Sequence, residues 1–371
     1  MKRGIMFLVI MGVGLSASLR AGVTADGFAY ATPNPSFQFP RDHGSHPEFR
    51  IEWWYYTGHL FAASGRRFGF EATFFRYALH PGGDHAESAF GTNQLYMAHM
   101  ALTDVEGQTF LYEERLHRDG WEAWAKEGEL DLRNGNWSVT MSEDETMTLK
   151  GSIRGEVRLD VRLAPQQDKV LFGDQGYSRK GDAVEAASWY ITFPRLEVAG
   201  ELTFRGEVIP VTGQAWMDHE ISSSQLDPDQ VGWDWASIQL DDGRSVMVYL
   251  LRQKDSTPDV HSRLTWIGAE GILGAWGPSD FSWTARETWT SPETGGVYPV
   301  DIDLVLPDPD GGAARRLRLK PVMAAQELTG QLSGVPYWEG ACDVLDEAGT
   351  RIGYAYVELT GYAGDLGEAM R

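Results

Sequence analysis

The sequence predicts an all-β protein, and three observations lead to that class. Beyond residue 50 the chain consists of short runs rich in β-branched and aromatic residues, broken by Gly, Asp and Asn. Helical periodicity is nearly absent, and turn signals recur about every 8–12 residues, which is typical of β-sandwiches or barrels. A tryptophan-led hairpin also occurs twice, which indicates two similar β domains in tandem.

The first residues have the pattern of a cleavable secretory signal peptide. Lys2 and Arg3 form a charged start, and the apolar stretch up to Leu19 is too short and too interrupted by Gly and Ser to span a membrane. Small residues surround a predicted cut after Ala25, with Ala21 as the alternative. We therefore expect residues 1–25 to be a signal peptide and the protein to be periplasmic or secreted; a buried N-terminal helix is the alternative.

Composition and cysteine content argue against several classes of partner. The formal net charge is −21, and loss of the signal peptide removes three cationic residues, so the basic stripe that nucleic acid requires is missing. The single cysteine, Cys342, lies far from the cleavage site in a strand-like context, so we expect a buried thiol, no disulfide and no lipid anchor. No later stretch is apolar enough for a transmembrane span, and the oligomeric state is left open.

The predicted strands follow one another along the chain without an intervening helix. They cover residues 51–60, 67–77, 94–103, 128–132, 137–142, 147–153, 156–163, 188–198, 200–204, 207–216, 232–240, 245–252, 260–267, 281–289, 300–306, 317–321, 337–345 and 351–359.

Two of the predicted hairpins share one pattern. In the first, a strand led by Trp53 turns at a Gly-Arg pair and returns to Arg76. In the second, a strand led by Trp233 turns at another Gly-Arg pair and returns to Arg252. A tandem duplication of one opening hairpin explains the pattern, and two unrelated hairpins of similar composition are the alternative.

A domain boundary is predicted directly before the second hairpin. Residues 222–229 form a polar run that contains a proline, as linkers between domains do. We therefore divide the mature chain into an N-terminal domain, residues 26–224, and a C-terminal domain, residues 225–371.

Three successive ionisable residues precede that boundary. On a strand, Asp218 and Glu220 share one face and His219 points to the other. A carboxylic acid and an imidazole could transfer protons if burial moved their pKa values toward neutrality. The alternative for the two acids is structural, as ion-pair partners of arginine or caps on backbone amides.

A fourth acid lies on an otherwise apolar strand face. Asp234 lies on the same strand face as Ala236. Burial of its carboxylate on this apolar face costs free energy unless the carboxylate is paired or used in catalysis. Arg252 and Arg76 are the predicted partners if its role is structural. Trp233 and Trp235 occupy the opposite face of this strand, where they could stack on a ligand or fill the gap between domains.

Aromatic residues are abundant enough to suggest a cavity. The chain has 14 Trp and 14 Tyr, and Trp53, Trp54 and Tyr55 are consecutive in the first hairpin, with Trp216 near the end of the predicted first domain. We expect these side chains to line a site for an apolar small molecule. Ordinary core burial of the same aromatic residues is the alternative.

Other site types have little support. His43 and His46 lack the accompanying ligands of a metal site, so we expect surface or loop histidines and no metal. No nucleotide-binding loop or serine-hydrolase elbow occurs, and no cofactor is predicted.

Several motifs together resemble the AttH-like and carotenoid 1,2-hydratase family. They appear in the family's order over nearly all of the mature chain. The motifs are residues 46–48, 52–60, 73–76, 173–181, 216–220, 232–235, 337–341 and 358–362.

The resemblance implies two tandem lipocalin-like antiparallel β-barrels and an apolar ligand such as a polyene, isoprenoid or lipid. In the hydratases of this family an acid/base set surrounds the entrance of the second barrel, and only its neighbourhood carries over to this chain. If the hydratase pattern has an acid two positions beyond the tyrosine that matches Tyr249, this chain departs from it, because Leu251 occupies that position. The matching positions are Asp218, His219, Trp233, Asp234 and Tyr249.

Two functional hypotheses follow. The first is an exported protein that binds an apolar molecule, in which the ionisable residues are structural. The second is a hydro-lyase in which Asp218, Asp234 or His219 protonates an alkene, tryptophan faces stabilise the cation and water adds. Export favours the first hypothesis, because it moves the protein away from the membrane pathway in which carotenoids are made.

Overall fold

The computed structural model describes residues 21–82, 93–120 and 122–369, and within them the chain is nearly all β. The predicted signal peptide lies largely outside the described residues. A short 3-10 helix at Arg41–His43 and a single helical turn, α1, at Leu366–Ala369 interrupt the strands. In the described part of the chain, no helix has the length and apolar character needed to cross a membrane.

The strands are β1 (Gly22–Val23), β2 (Ala29–Tyr30), β3 (Ile51–Ala62), β4 (Arg67–Ala78), β5 (Gln94–Asp104), β6 (Thr109–Arg118), β7 (Ala123–Ala125), β8 (Asp131–Asn134), β9 (Trp137–Met141), β10 (Met147–Ile153), β11 (Val157–Pro165), β12 (Val170–Leu171), β13 (Tyr177–Arg179), β14 (Ala187–Phe204), β15 (Glu207–Ser224), β16 (Gln230–Leu240), β17 (Ser245–Gln253), β18 (Arg263–Gly268), β19 (Gly271–Trp276), β20 (Ser282–Thr290), β21 (Val297–Leu306), β22 (Arg315–Pro321), β23 (Glu327–Leu328), β24 (Tyr337–Leu345) and β25 (Arg351–Thr360).

The first large sheet is an almost closed antiparallel barrel. Its strand order is β6-β5-β4-β3-β15-β14-β11-β10-β9-β8-β7, and β5 and β6 at one end approach β8 and β10 near the other. Inward side chains such as Trp54, Phe70 and Trp137 fill its interior, so the barrel holds a packed core.

The second large sheet is a half-barrel. Its order is β19-β18-β17-β16-β25-β24-β22-β21-β20, with a core that includes Trp266, Tyr298 and Trp338. These two sheets confirm the predicted all-β class and its two tandem barrel domains.

The two repeated hairpins occupy the same place in their sheets. β3 lies between its hairpin partner β4 and the last long strand of the first sheet, β15. β16 lies between β17 and the last strand of the second sheet, β25. Gly65 and Gly243, with φ of 89° and 91°, close the two turns in the left-handed region that favours glycine. The shared position and turn support duplication.

Several details of the strand prediction were wrong, and strands such as β7 and β19 were not predicted. Residues 188–204 form one strand, β14, where two were predicted. β15 continues to Ser224, into the predicted linker, and β16 begins at Gln230. β6 was missed because the three ionisable residues of Glu-Glu-Arg interrupt the apolar alternation by which half-buried strands are recognised. The domain limits themselves stay a prediction.

The outward side of the first barrel packs against the face of the second sheet that lies opposite its core. The backbones approach closely where Gly69 on β4 meets Ala341 on β24, since a Cβ added at Gly69 would lie 2.5 Å from the Ala341 Cβ. Cys342, the next residue, points into the second core and is fully buried as a free thiol, as predicted.

Candidate functional site between the two sheets

A cavity of about 520 Å³ lies between the two sheets, outside both barrel cores. This volume is in the range of small-molecule pockets. Its walls come from alternate residues of the strands that face each other, because strand neighbours point to opposite sides. On β3, Tyr55 faces the cavity region while Trp54 and Tyr56 enter the first core. On β16, Trp233 and Trp235 face the cavity while Ala236 enters the second core.

Apolar and aromatic side chains dominate the accessible wall. Several of them are only half-buried, so the cavity communicates with the protein surface: Trp53, Phe75, Tyr77, Leu95, Met97 and Trp233.

Seven residues singled out in the sequence meet at this cavity. Four come from the first barrel and three from the second sheet, so the site exists only when the two sheets are together. They are Trp53, Tyr55, Asp218, Glu220, Trp233, Trp235 and Tyr249.

Asp218 is held by three donors at the end of the cavity. Tyr190 Oη and Trp216 Nε1 each donate to its carboxylate at 2.7 Å, and the Thr192 hydroxyl donates as well. Burial raises the pKa of Asp218 to about 7, although these hydrogen bonds act in the opposite direction. The group can therefore both hold and release a proton near neutrality. Trp216 lies behind the cavity wall as a donor to Asp218.

Glu220 belongs to a buried ion pair. Lys180 Nζ lies 3.2 Å from its carboxylate and sits 4.4 Å from the ring centroid of Tyr249 and 4.7 Å from that of Tyr190. Burial lowers the pKa of Lys180, but the charges of Glu220, Tyr249 and Asp218 and the hydrogen bond to Glu220 together outweigh it, so the net shift of the pKa is upward. Lys180 therefore stays charged and covers two of the tyrosines that line the cavity.

His219 is directed away from the cavity, as strand alternation requires. Its Nε2 lies 2.8 Å from Glu52 Oε1, and its ring stacks on Trp54 with centroids 4.6 Å apart. Burial lowers the pKa of His219 to about 4. The sequence hypothesis that His219 and Trp54 join the same site as Asp218 is therefore wrong in geometry.

Asp234 also lies off the cavity, on the second-core side of β16. Arg252 Nε donates to its carboxylate at 3.0 Å, and Tyr362 Oη donates to both carboxylate oxygens at 3.0 Å. Burial raises the pKa of Asp234 while Arg252 lowers it. The predicted pairing with Arg252 is confirmed, and the catalytic alternative for Asp234 has no geometric support.

Glu52, His46 and His219 bring three ligand atoms within 4.8 Å of one another, a set that could hold a metal ion. Glu52 is already saturated, however, because Arg76 Nε donates to it at 3.0 Å and both histidine rings contact it at 2.8 Å. The arrangement is therefore better described as a buried ionic network that ties residues 41–49 to β3 and β4. His43 and His46 lie in the segment between β2 and β3, as the loop alternative predicted, but they are buried, so the surface alternative was wrong.

Two cavity acids were missed in the sequence as site residues. Glu339 on β24 and Glu358 on β25 lie directly opposite each other in the strand register. Tyr55 Oη donates to Glu339 Oε2 at 3.0 Å, and Trp233 Nε1 donates to Glu358 Oε2 at 2.7 Å. A signal was present for Glu358, because it is the one acid of β25 and lies next to apolar residues, as Asp234 does on β16. For Glu339 the signal was weaker, because β24 also contains Asp343 on the same face.

The pKa values of this acid pair are raised. Burial comes first for both, and the charges of Glu358 and Glu71 add to it at Glu339. The pKa of Glu358 is raised to about 8, and that of Glu71, just beyond the cavity wall, also to about 8. Close carboxyls of this kind hold protons that isolated carboxyls release.

The fold and this cavity define a tandem β-barrel protein with an aromatic and acidic chamber between its two sheets. The chain belongs to the AttH-like family, whose model matches residues 30–362. A comparison with curated protein sequences finds no match.

Solved structures share the architecture. A Nitrosomonas europaea protein assigned as AttH is 36% identical, with a TM-score of 0.80 over 90% of this chain and 100% of that chain. Kievitone hydratase from Nectria haematococca is 14% identical, with a TM-score of 0.67 over 91% and 97% of the two chains. The structure of CghA with Sch210972 is 11% identical, with a TM-score of 0.53 over 85% and 89%. The last two likenesses concern the fold alone.

Proposed function

We propose that the protein is exported by its N-terminal signal peptide and binds an apolar small molecule between its two sheets. The observation that carries the proposal is the cavity of about 520 Å³ with half-buried aromatic and aliphatic walls. Pockets of this size and character bury most of the surface of a small apolar ligand. Export rests on residues 1–25, whose charged start and short apolar stretch are typical of secretory signals.

Binding is tested with a neutral apolar dye, Nile red, on delipidated mature protein. The dye should gain fluorescence and saturate at one equivalent. Met97→Trp, which fills the cavity, should weaken binding by about ten-fold, or about 1.4 kcal/mol. Leu273→Trp, an exposed position on β19, is the matched control and should bind as the unmodified protein does. Equal binding by Met97→Trp would contradict the proposed site.

Export is tested separately. Expression of the full chain in a bacterium should deliver a periplasmic protein whose first residue, by N-terminal sequencing, is Asp26. An uncleaved cytoplasmic product would contradict that part of the proposal.

A hydro-lyase is the second candidate function, and Asp218 favours it. A carboxyl whose pKa is raised to about 7 on the wall of an apolar cavity can protonate a C=C bond and then recover a proton from the water that adds. The carboxyl is therefore protonated again at the end of the step, and the product contains one H₂O more than the substrate. The fold likeness to a protein named kievitone hydratase agrees with this candidate without establishing it.

The second candidate is tested with apolar compounds that co-purify with the protein. Re-incubated with it in ¹⁸O-labelled water, they should gain labelled oxygen by mass spectrometry, and Asp218→Asn should abolish the incorporation. A ligand recovered chemically unchanged from the unmodified protein would leave binding alone as the function.

A further inference from the structure

The cavity carries more negative than positive groups. The described lining includes four carboxyls and only two cationic side chains, Arg50 and Lys180. Lys180 is paired with Glu220, and Arg50 is paired with Asp26 toward the protein surface. In the described part of the chain, no ion pair is formed by the three remaining carboxyls, Asp218, Glu339 and Glu358.

One of these carboxyls has an oxygen with no partner. Glu339 is fully buried and lines the cavity, and its Oε1 accepts no hydrogen bond from any described residue, while Oε2 is held by Tyr55. A buried polar atom left unpaired costs about 1–3 kcal/mol. A donor supplied by a bound molecule would remove that cost.

Glu358 completes the arrangement on the neighbouring strand. It is directly opposite Glu339, is only partly buried, and has one oxygen fixed by Trp233 Nε1. A cation between the two glutamates would therefore meet two carboxyls of fixed orientation.

The surrounding groups leave that position without a competing positive charge. His99 lines the same cavity, but burial lowers its pKa to about 3, so it is neutral at physiological pH. Other ionisable groups around the pair are acids or phenols, namely Tyr55, Glu71, Asp218, Glu220, Asp234, Tyr337 and Tyr356. Lys180 is already held by Glu220 and by the rings of Tyr190 and Tyr249.

Aromatic faces complete the environment expected around an organic cation. Trp53, Trp233 and Trp235 line the cavity together with Tyr55 and Tyr249. Indole and phenol rings attract cations through their quadrupoles, most strongly where water is excluded. Carboxyls combined with aromatic walls suit an ammonium group better than a neutral or anionic one.

We propose that the ligand of this cavity is an amphiphilic amine, an apolar body ending in a basic nitrogen that sits between Glu339 and Glu358 and donates to Glu339 Oε1. The inference rests on the proposed binding function and specifies the class of its ligand.

The test compares three molecules with the same alkyl chain, dodecylamine, dodecanol and dodecanoate, as displacers of Nile red. At about pH 7.5 dodecylamine should bind at least about ten-fold more tightly than the other two. Its affinity should increase from about pH 6 to about pH 8.5, because the carboxyls must lose protons to pair with an ammonium. A neutral oxygen ligand would show the opposite slope, since it needs a protonated carboxyl as donor.

Variants assign the preference to the two acids. Glu339→Gln and Glu358→Gln should each bind dodecylamine no more tightly than dodecanol measured on the same variant, whereas Glu270→Gln, an exposed control, should keep the preference. Equal affinity for amine and alcohol in the unmodified protein would overturn the inference while leaving apolar binding intact. Failure of Nile red itself to bind would overturn both.

Discussion

Glu339 and Glu358 lie directly opposite each other on adjacent antiparallel strands between the two sheets, and no described cationic side chain forms an ion pair with either. Like charges in this position are unfavourable, so at least one of the two carboxyls is protonated near neutral pH. This relationship makes the stability of the protein depend on pH.

We expect the protein to lose stability as the pH rises from about 6.5 to about 8, above the range in which the buried histidines with lowered pKa values, such as His219 and His99, add stability with rising pH. The pKa of Glu358 is raised from 4.5 to about 8 and that of Asp218 from 3.8 to about 7, mainly by burial. The folded protein then keeps protons that the unfolded chain releases. The resulting stabilisation is complete at a pH below the ordinary pKa values of the unfolded chain, and it is lost as the pH rises through the raised pKa values of the folded protein. The melting temperature should fall by at least about 3 °C over this range.

Glu358→Gln should flatten this pH dependence, because glutamine does not titrate. Circular dichroism melts at intervals of half a pH unit would measure the slope, with the exposed Glu270→Gln as control. An identical slope in Glu358→Gln and the unmodified protein would contradict the prediction.

Lys180→Met should destabilise the protein by about 3–5 kcal/mol, because it leaves the buried Glu220 without its cation. The double variant Lys180→Met with Glu220→Gln should recover much of the loss, since both charges are then removed. Urea denaturation gives the free energies of unfolding. A double variant as unstable as the single one would show that the ion pair is not the cause.

Arg252→Met should likewise cost about 3 kcal/mol, because Asp234 is buried beside it. Adding Asp234→Asn should restore part of this stability, and Asp234→Asn alone should leave Nile red affinity unaltered, since Asp234 faces the second core. A large loss of dye affinity in that variant would place Asp234 at the cavity after all.

Gly69→Ala should push the two sheets apart near Ala341 and cost about 1–3 kcal/mol, since its Cβ would overlap the Ala341 methyl. The exchange Gly69→Ala with Ala341→Gly moves the methyl from one sheet to the other and should recover most of the stability. Chemical denaturation of the two single variants and the double variant measures the free energies of unfolding. If the double variant recovers no stability, Gly69 is required by the conformation of β4 and not by the contact with Ala341.

Much of the fold was predictable because strand alternation and turn residues are local signals. The all-β class follows from patterns within a few residues of chain, and the repeated hairpin and the pairing of Asp234 with Arg252 follow from two strands joined by one short turn. Alternation also placed Asp218 and Glu220 on one face and His219 on the other.

The sequence by itself determined which residues share a strand face, but it did not determine what each face meets. Trp53 and Trp54 are equally aromatic, yet one lines the cavity and the other enters the barrel, because only sheet closure decides which side is inside. The acids at positions 339 and 358 are far from Asp218 in the chain, and only the contact between the two sheets brings them to one chamber. Their raised pKa values arise from that burial, which a linear sequence does not contain.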